Sequence, residues 1–328
     1  MRPTELTELL SQLLPARLPV LIVGPPGVGK TDIVTQAAKS AKMDLIVSHP
    51  VVSDPTDFKG LPGIVNGKAE FLPYGDLRKL IKATKPTVAF LDDLGQAPPI
   101  VQAAAMQLLL ARRVNGHKVN DNVTFVAASN RREDKAGVTC VLEPVKSRFA
   151  TIIELTVDVN EWCIWALDNG VPPEVVAFIR FKPELLNAFE PTAKLVNTPC
   201  PRTVTFAAKL VSLGITAFDA IAGAAGQGFA TELIAFLKVW RELPSADAVL
   251  RHPDKAKIPT EPATLYALAG AIADKTTDEN ASNVVRFANR IPDEFSVLLV
   301  RDAERKCPGI TDTKEYTTWV TDHQALLV

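Results

Sequence analysis

Short apolar runs rich in β-branched residues recur along the first half of the chain, at Val20–Val23, Leu45–Val47, Val88–Leu91, Val123–Ala127 and Thr151–Leu155. Between them the apolar positions fall at three- and four-residue spacing, the helical period. That spacing predicts helices over Thr4–Leu14, Thr31–Lys42, Gly75–Ala83 and Pro98–Arg112, the last opened by a proline pair suited to a first helical turn. Strand and helix in alternation predict an α/β fold, a parallel sheet with helices on both faces.

Two interruptions carry hairpin signals. Between the second and third runs, Gly60–Leu72 holds Asn66-Gly67 between alternating apolar residues, and just after the Pro98–Arg112 helix Asn115-Gly116 sits between Val114 and Val119. An Asn-Gly pair so flanked predicts a two-residue turn joining antiparallel strands. Beyond about Val157 the β-branched runs fade and alanine, leucine and glutamate patterns take over, so the C-terminal half reads as helical. Proline-containing breaks at Thr198–Pro201, Leu243-Pro244 and Lys257–Pro262 divide it. The expected organisation is an α/β domain over 1–156, a helical lid over 157–243 and an all-helical extension over 244–328.

Composition narrows the classes without selecting one. The 328 residues suffice for two or three domains, and 47% hydrophobic with 22% charged residues describes an ordinary globular protein. Lysine and arginine total 36 against 37 acids, so net charge gives no reason to expect nucleic acid or a membrane surface as partner. Cys140, Cys163, Cys200 and Cys307 are too widely spaced for a zinc site and read as reduced thiols. The most apolar stretch, Val211 to Ala235, is broken by Asp219, Gln227 and Glu232, which rules against a membrane span. A cytoplasmic location is expected.

The most specific chemistry lies at Gly24–Thr31, which reads Gly-Pro-Pro-Gly-Val-Gly-Lys-Thr between the first apolar run and a helix. Backbone N–H groups of Gly24, Pro25, Pro26, Gly27, Val28 and Gly29, the prolines excepted, are available to curl around a triphosphate. Lys30 reaches the β and γ phosphates, and the Thr31 hydroxyl suits Mg²⁺. The helix that follows presents its positive dipole end to the anion. The run Val88–Leu91 ends in Asp92-Asp93. Asp92 is placed to hold Mg²⁺, and Asp93 to orient the attacking water, since phosphoryl transfer depends on positioning and electrostatics. Val123–Ala127 leads to Asn130, which an adjacent parallel strand carries to the same sheet edge for contact with water or the γ-phosphate. Arg148 precedes the fifth strand and suits a neighbouring subunit's site better than its own, with Arg131 and Arg132 as rivals. Arg202, at the start of a lid helix, faces phosphate from the other side.

Taken in order, Gly24–Thr31, Val88–Asp93, Asn130, Ser147-Arg148-Phe149 and Pro201-Arg202-Thr203 resemble the AAA+ ATPases. Leu91–Pro99 and Leu142–Phe149 look like the MoxR group in particular, and the resemblance extends to ATPases of phage and prophage gene sets. The resemblance covers about residues 1–240. It implies a P-loop NTPase sheet of order 5-1-4-3-2, ATP and Mg²⁺ as ligands, and a hairpin insertion at Gly60–Leu72. It further implies a hexameric ring that remodels a client protein, often one with a von Willebrand factor A domain. One departure is chemical: the second acid of the pair is usually glutamate, and Asp93, one methylene shorter, implies slow hydrolysis. Two alternatives stay open, a nucleotide-dependent switch with little turnover and a nucleic-acid motor or loader.

Overall fold

A computed structural model describes residues 1–134, 141–192 and 194–326; Cys140 lies outside them. The described residues form two compact units, one of Met1–Asp158 with the segment Phe189–Lys194, the other of Val159–Ala188 with the chain from Leu195 onward.

The strands are β1 (Val20–Val23), β2 (Asp44–Ser48), β3 (Leu61–Val65), β4 (Lys68–Leu72), β5 (Thr87–Leu91), β6 (Arg113–Val114), β7 (His117–Lys118), β8 (Val123–Ser129) and β9 (Thr151–Glu154). Five of them make the main sheet in the order β2-β5-β8-β1-β9, every pairing parallel. Counted over those five strands alone this is 5-1-4-3-2, the order the resemblance implied.

Side chains of a strand alternate between faces, and register aligns the alternation across the sheet: Val20 stands beside Val126, and Val126 beside Phe90. One face therefore gathers Val20, Ile22, Val88, Phe90, Val126 and Ala128 under Leu6 and Leu10 of helix Pro3–Leu13 and Val34 and Ala37 of helix Lys30–Ser40. The other gathers Leu21, Ala89, Leu91, Phe125 and Ala127 against Leu77 and Leu80 of helix Gly75–Ile81 and Val101, Ala104 and Leu108 of helix Pro99–Ala111. Burial on both faces is why these strands read as continuous apolar runs.

Both Asn-Gly turns form. Asn66 and Gly67 have φ of 50° and 77°, Asn115 and Gly116 of 46° and 86°, the paired positive values of a type I′ turn. The first joins β3 to β4, paired from Leu61 opposite Leu72 to Val65 opposite Lys68. This hairpin turns apolar side chains outward, with Ile64 81% exposed and Leu61, Phe71 and Leu72 also exposed.

The second unit is helical, as the pattern beyond Val157 predicts, and Pro201 and Pro262 each open a helix. Helix Pro173–Phe181 packs on helix Pro262–Asp274, which packs in turn on Asp293–Lys306, so segments from the expected lid and the expected extension lie in one compact unit. Phe178 meets Phe229 edge-on at 5.4 Å between ring centroids, and the buried Trp319 indole donates to Ser296 Oγ at 2.8 Å. Arg180 forms a two-pronged ion pair with Asp302, both side chains nearly buried, in which Nη2 donates to Oδ1 at 2.8 Å and Nη1 to Oδ2. Burial alone pulls the Arg180 pKa down; the Asp302 carboxylate, with a smaller contribution from Cys163, more than offsets this and leaves it above the ordinary arginine value.

Truncating one partner strands the other charge in the core. Asp302→Ala is expected to destabilise the second unit by about 3–5 kcal/mol, whereas an apolar pair such as Arg180→Met with Asp302→Leu recovers most of the loss. Chemical denaturation followed by helical circular dichroism reads both; a cost for Asp302→Ala below ~1 kcal/mol contradicts the account.

Among the described residues no helix is long and apolar enough to cross a membrane. Cys163, Cys200 and Cys307 are buried and in no disulfide.

Candidate nucleotide-binding site

The loop Gly24–Thr31 connects β1 to helix Lys30–Ser40, and its conformation accounts for its glycines. Gly29, the helix N-cap, has φ 91° and ψ 20°, a left-handed conformation that a side chain makes costly. A Cβ there meets no heavy atom within 4 Å, so the space before the helix N-terminus is open. Gly24 is required for another reason. Its φ is not among the positive ones, but a Cβ on it would stand 2.9 Å from the Leu155 carbonyl oxygen. Its N–H is held by Ser129 O at 3.2 Å. The loop is thus pinned between the ends of β8 and β9, by backbone atoms of Ser129 and Leu155 that no side-chain motif announces.

Four residues from three distant segments meet at this end of the sheet. Lys30 is 7% exposed, and its Nζ donates to Gly24 O at 2.9 Å, Pro25 O at 2.9 Å and Asn130 Oδ1 at 2.7 Å. Thr31 Oγ1 donates to Asp92 Oδ2 at 2.7 Å. The Asp92 Oδ1 atom accepts the Asp93 N–H at 3.0 Å, and the Asp92 N–H is held by Ser48 O at 2.9 Å. Asp92 and Asn130 are buried because β5 and β8 are the interior strands that carry them.

Asp93 has φ 55° and ψ 35°. Aspartate and asparagine tolerate this left-handed region better than most side chains. The backbone itself thus favours aspartate over glutamate here, a feature no spacing rule reveals.

The arginines differ in setting. Arg148 follows the short helix Glu143–Lys146; its Nη1 donates to Pro144 O at 2.5 Å and Ser147 Oγ at 3.0 Å, while its Nε is buried without a partner. None of these bonds joins it to Lys30, Thr31, Asp92 or Asn130. Arg131 is gripped by carboxylates, with Nη2 to Asp134 Oδ1 at 2.8 Å and Nη1 to Glu154 Oε1 at 2.9 Å. The Asp134 bonds, with Glu154 beside them, hold its pKa above the usual arginine value against burial. Arg202 lies in the second unit, exposed in the first turn of helix Pro201–Ser212.

The residues fit Mg²⁺ and a nucleotide triphosphate. Among the described residues no three His, Cys, Asp or Glu side chains gather to hold a metal by themselves. One carboxylate, one hydroxyl and an open space for phosphate oxygens is the sparse, all-oxygen set that Mg²⁺ takes. Open space beside Gly29, a buried ammonium and a helix N-terminus suit the phosphates.

Comparison with solved structures finds the Thermotoga maritima RuvB Holliday junction branch migration motor, 16% identical over 97% of this chain and 87% of that one, at a TM-score of 0.38. A candidate ATPase from Cytophaga hutchinsonii is 14% identical over 92% of this chain and 80% of that one, at 0.36. No curated protein sequence matches the chain. The family model of the AAA domain, dynein-related subfamily, matches residues 19–149. That match spans the loop, the paired aspartates and Asn130, which the sheet brings to one place, so over residues 19–149 the chain is similar to an AAA domain.

Proposed function

We propose that the chain is an AAA+ ATPase of MoxR type that hydrolyses ATP in a ring of about six subunits to remodel or assemble a partner protein. The observation that carries this reading is the convergence of Lys30, Thr31, Asp92 and Asn130, with Thr31 Oγ1 and Lys30 Nζ each 2.7 Å from a residue of another motif. The Gly24–Gly29 backbone and Lys30 hold the phosphates, Thr31 and Asp92 hold Mg²⁺, and Asp93 orients water in line with the γ-phosphate, whose contact is Asn130. The Mg²⁺ neutralises charge on the phosphate oxygens. Arg148 acts on a neighbour's nucleotide and Arg202 closes on phosphate from the lid, residues 157–243. The exposed apolar hairpin β3–β4 is the part that grips the client, which by the resemblance carries a von Willebrand factor A domain and belongs to a phage or prophage setting. The extension 244–328 supports the lid. Buried thiols without disulfides suit the cytoplasm.

One feature favours the nucleic-acid reading instead. Arg78, Lys79, Lys82 and Lys85 line an open cavity of about 680 Å³ beside edge strand β2, a locally basic surface even with Asp44 in its lining and Lys79 paired to Asp76, in a chain of net charge −1. Light scattering with and without ATP and Mg²⁺, with phosphate release on the same samples, tests the lead reading. A nucleotide-promoted ring that turns over supports it, a ring without turnover favours the switch, and turnover that rises only when DNA is added favours the nucleic-acid motor.

A further inference from the structure

An ammonium has three N–H donors and no acceptor. The three oxygens around Lys30 Nζ, at 2.7–2.9 Å, are enough to engage all of them. Gly24 O and Pro25 O belong to the loop itself and move with it. Asn130 Oδ1 comes from the end of β8, a hundred residues along the chain, and makes the shortest of the three bonds. Since Lys30 only donates, the amide oxygen must be what faces it. The lysine therefore cannot bond β- and γ-phosphate oxygens while keeping all three partners, and the Asn130 side chain, which turns about a single bond, is the partner able to leave without unmaking the loop.

Resting on the nucleotide-binding reading above, we propose that Asn130 is a positioning residue that competes with phosphate for Lys30 and so lowers affinity for every nucleotide that reaches this lysine. The exchange reverses the amide's role. Its oxygen holds Lys30, and once displaced by a triphosphate its NH₂ group donates to a γ-phosphate oxygen, a bond that ADP does not offer. A residue that only reads the γ-phosphate has no effect on ADP. A competitor for Lys30 does, because the β-phosphate displaces it as well.

ADP and ATP affinities of the full chain, by isothermal titration calorimetry, separate these roles for Asn130→Ala and Asn130→Ser. Both variants are expected to bind ADP more tightly than wild type, by about tenfold, the scale of one hydrogen bond to a charged group. The serine variant guards against failure of the alanine variant to fold, checked by a cooperative thermal transition. Unchanged ADP affinity in a folded variant overturns the proposal and leaves Asn130 as a γ-phosphate contact alone; weaker ADP binding overturns it in favour of a structural support. If wild type binds neither ADP nor ATP, the nucleotide-binding reading itself falls and the proposal with it.

Discussion

Lys30→Ala is expected to lower ATP and ADP affinity by about two to four orders of magnitude, and phosphate release falls to background with it. A hydrogen bond to a charged group contributes about 1.5–3 kcal/mol, and Lys30 supplies two of them to a bound triphosphate. In water such bonds are diluted by competition; at 7% exposure the ammonium is shielded from it. Lys30→Arg is expected to do little better. A planar fork with five donors does not reproduce a compact ammonium in a pocket sized by Gly24 O, Pro25 O and Asn130 Oδ1. Titration of a fluorescent ADP analogue is the measurement. Near wild-type affinity in a folded Lys30→Ala protein would show that Gly24–Thr31 is a connecting turn and nothing more.

Arg148→Ala is expected to give the opposite pattern, with nucleotide binding retained and turnover lost. The bonds of Arg148 run to its own short helix, to Pro144 O and Ser147 Oγ, with Nε buried and unpaired. None of these contributes to holding phosphate in the same subunit. Supplied across an interface, an arginine that stabilises charge on the transferring phosphoryl group contributes about 10³-fold or more. Turnover by the assembled ring should fall by about that factor while the affinity for ADP changes less than about threefold, a loss confined to the transition state. Mixing separates trans from cis action. Rings assembled from Lys30→Ala and Arg148→Ala subunits contain interfaces with one intact loop facing one intact arginine, and these regain part of the activity. Two inactive proteins that stay inactive when mixed in a stable ring would place Arg148 outside the reaction.

The sheet was legible because each core strand is sealed on two faces. Apolar residues cannot then alternate with polar ones, and Val20–Val23 or Val88–Leu91 stand out from any helical period. The hairpins were legible for a different reason: positive φ at two successive residues is costly for nearly every pair except Asn-Gly, so residues 66–67 and 115–116 announce their own geometry. Strand order came from the resemblance, since nothing in β2 or β9 alone says that it lies at an edge. The site was readable as separate motifs but not as a bonded cluster. Lys30 and Asn130 are brought together only because β1 and β8 are neighbours in register, Val23 beside Ser129. The left-handed turn at Asp93 follows Asp92, whose N–H is held by Ser48 O at the end of the neighbouring strand, and no residue pattern marks it. In the helical unit, alanine-rich segments carry the helical period without saying which helix each will meet, so the pairing of Arg180 with Asp302 had no sequence signature.

That pairing spans 122 residues, and it bears on how the chain is made. Nearly all of the first unit lies ahead of Val159, and its parallel sheet closes once β9 has left the ribosome. Helix Pro173–Phe181 emerges soon afterwards, with Arg180 and an apolar face ready, but its packing partner Pro262–Asp274 and the helix Asp293–Lys306 that carries Asp302 are still to be synthesised. At roughly 5–20 residues per second, that leaves an interval of several seconds in which the second unit cannot complete its core. A nascent chain of this protein therefore holds a finished parallel sheet followed by an unfinished helical half, and it is in that interval that chaperones have surface to hold.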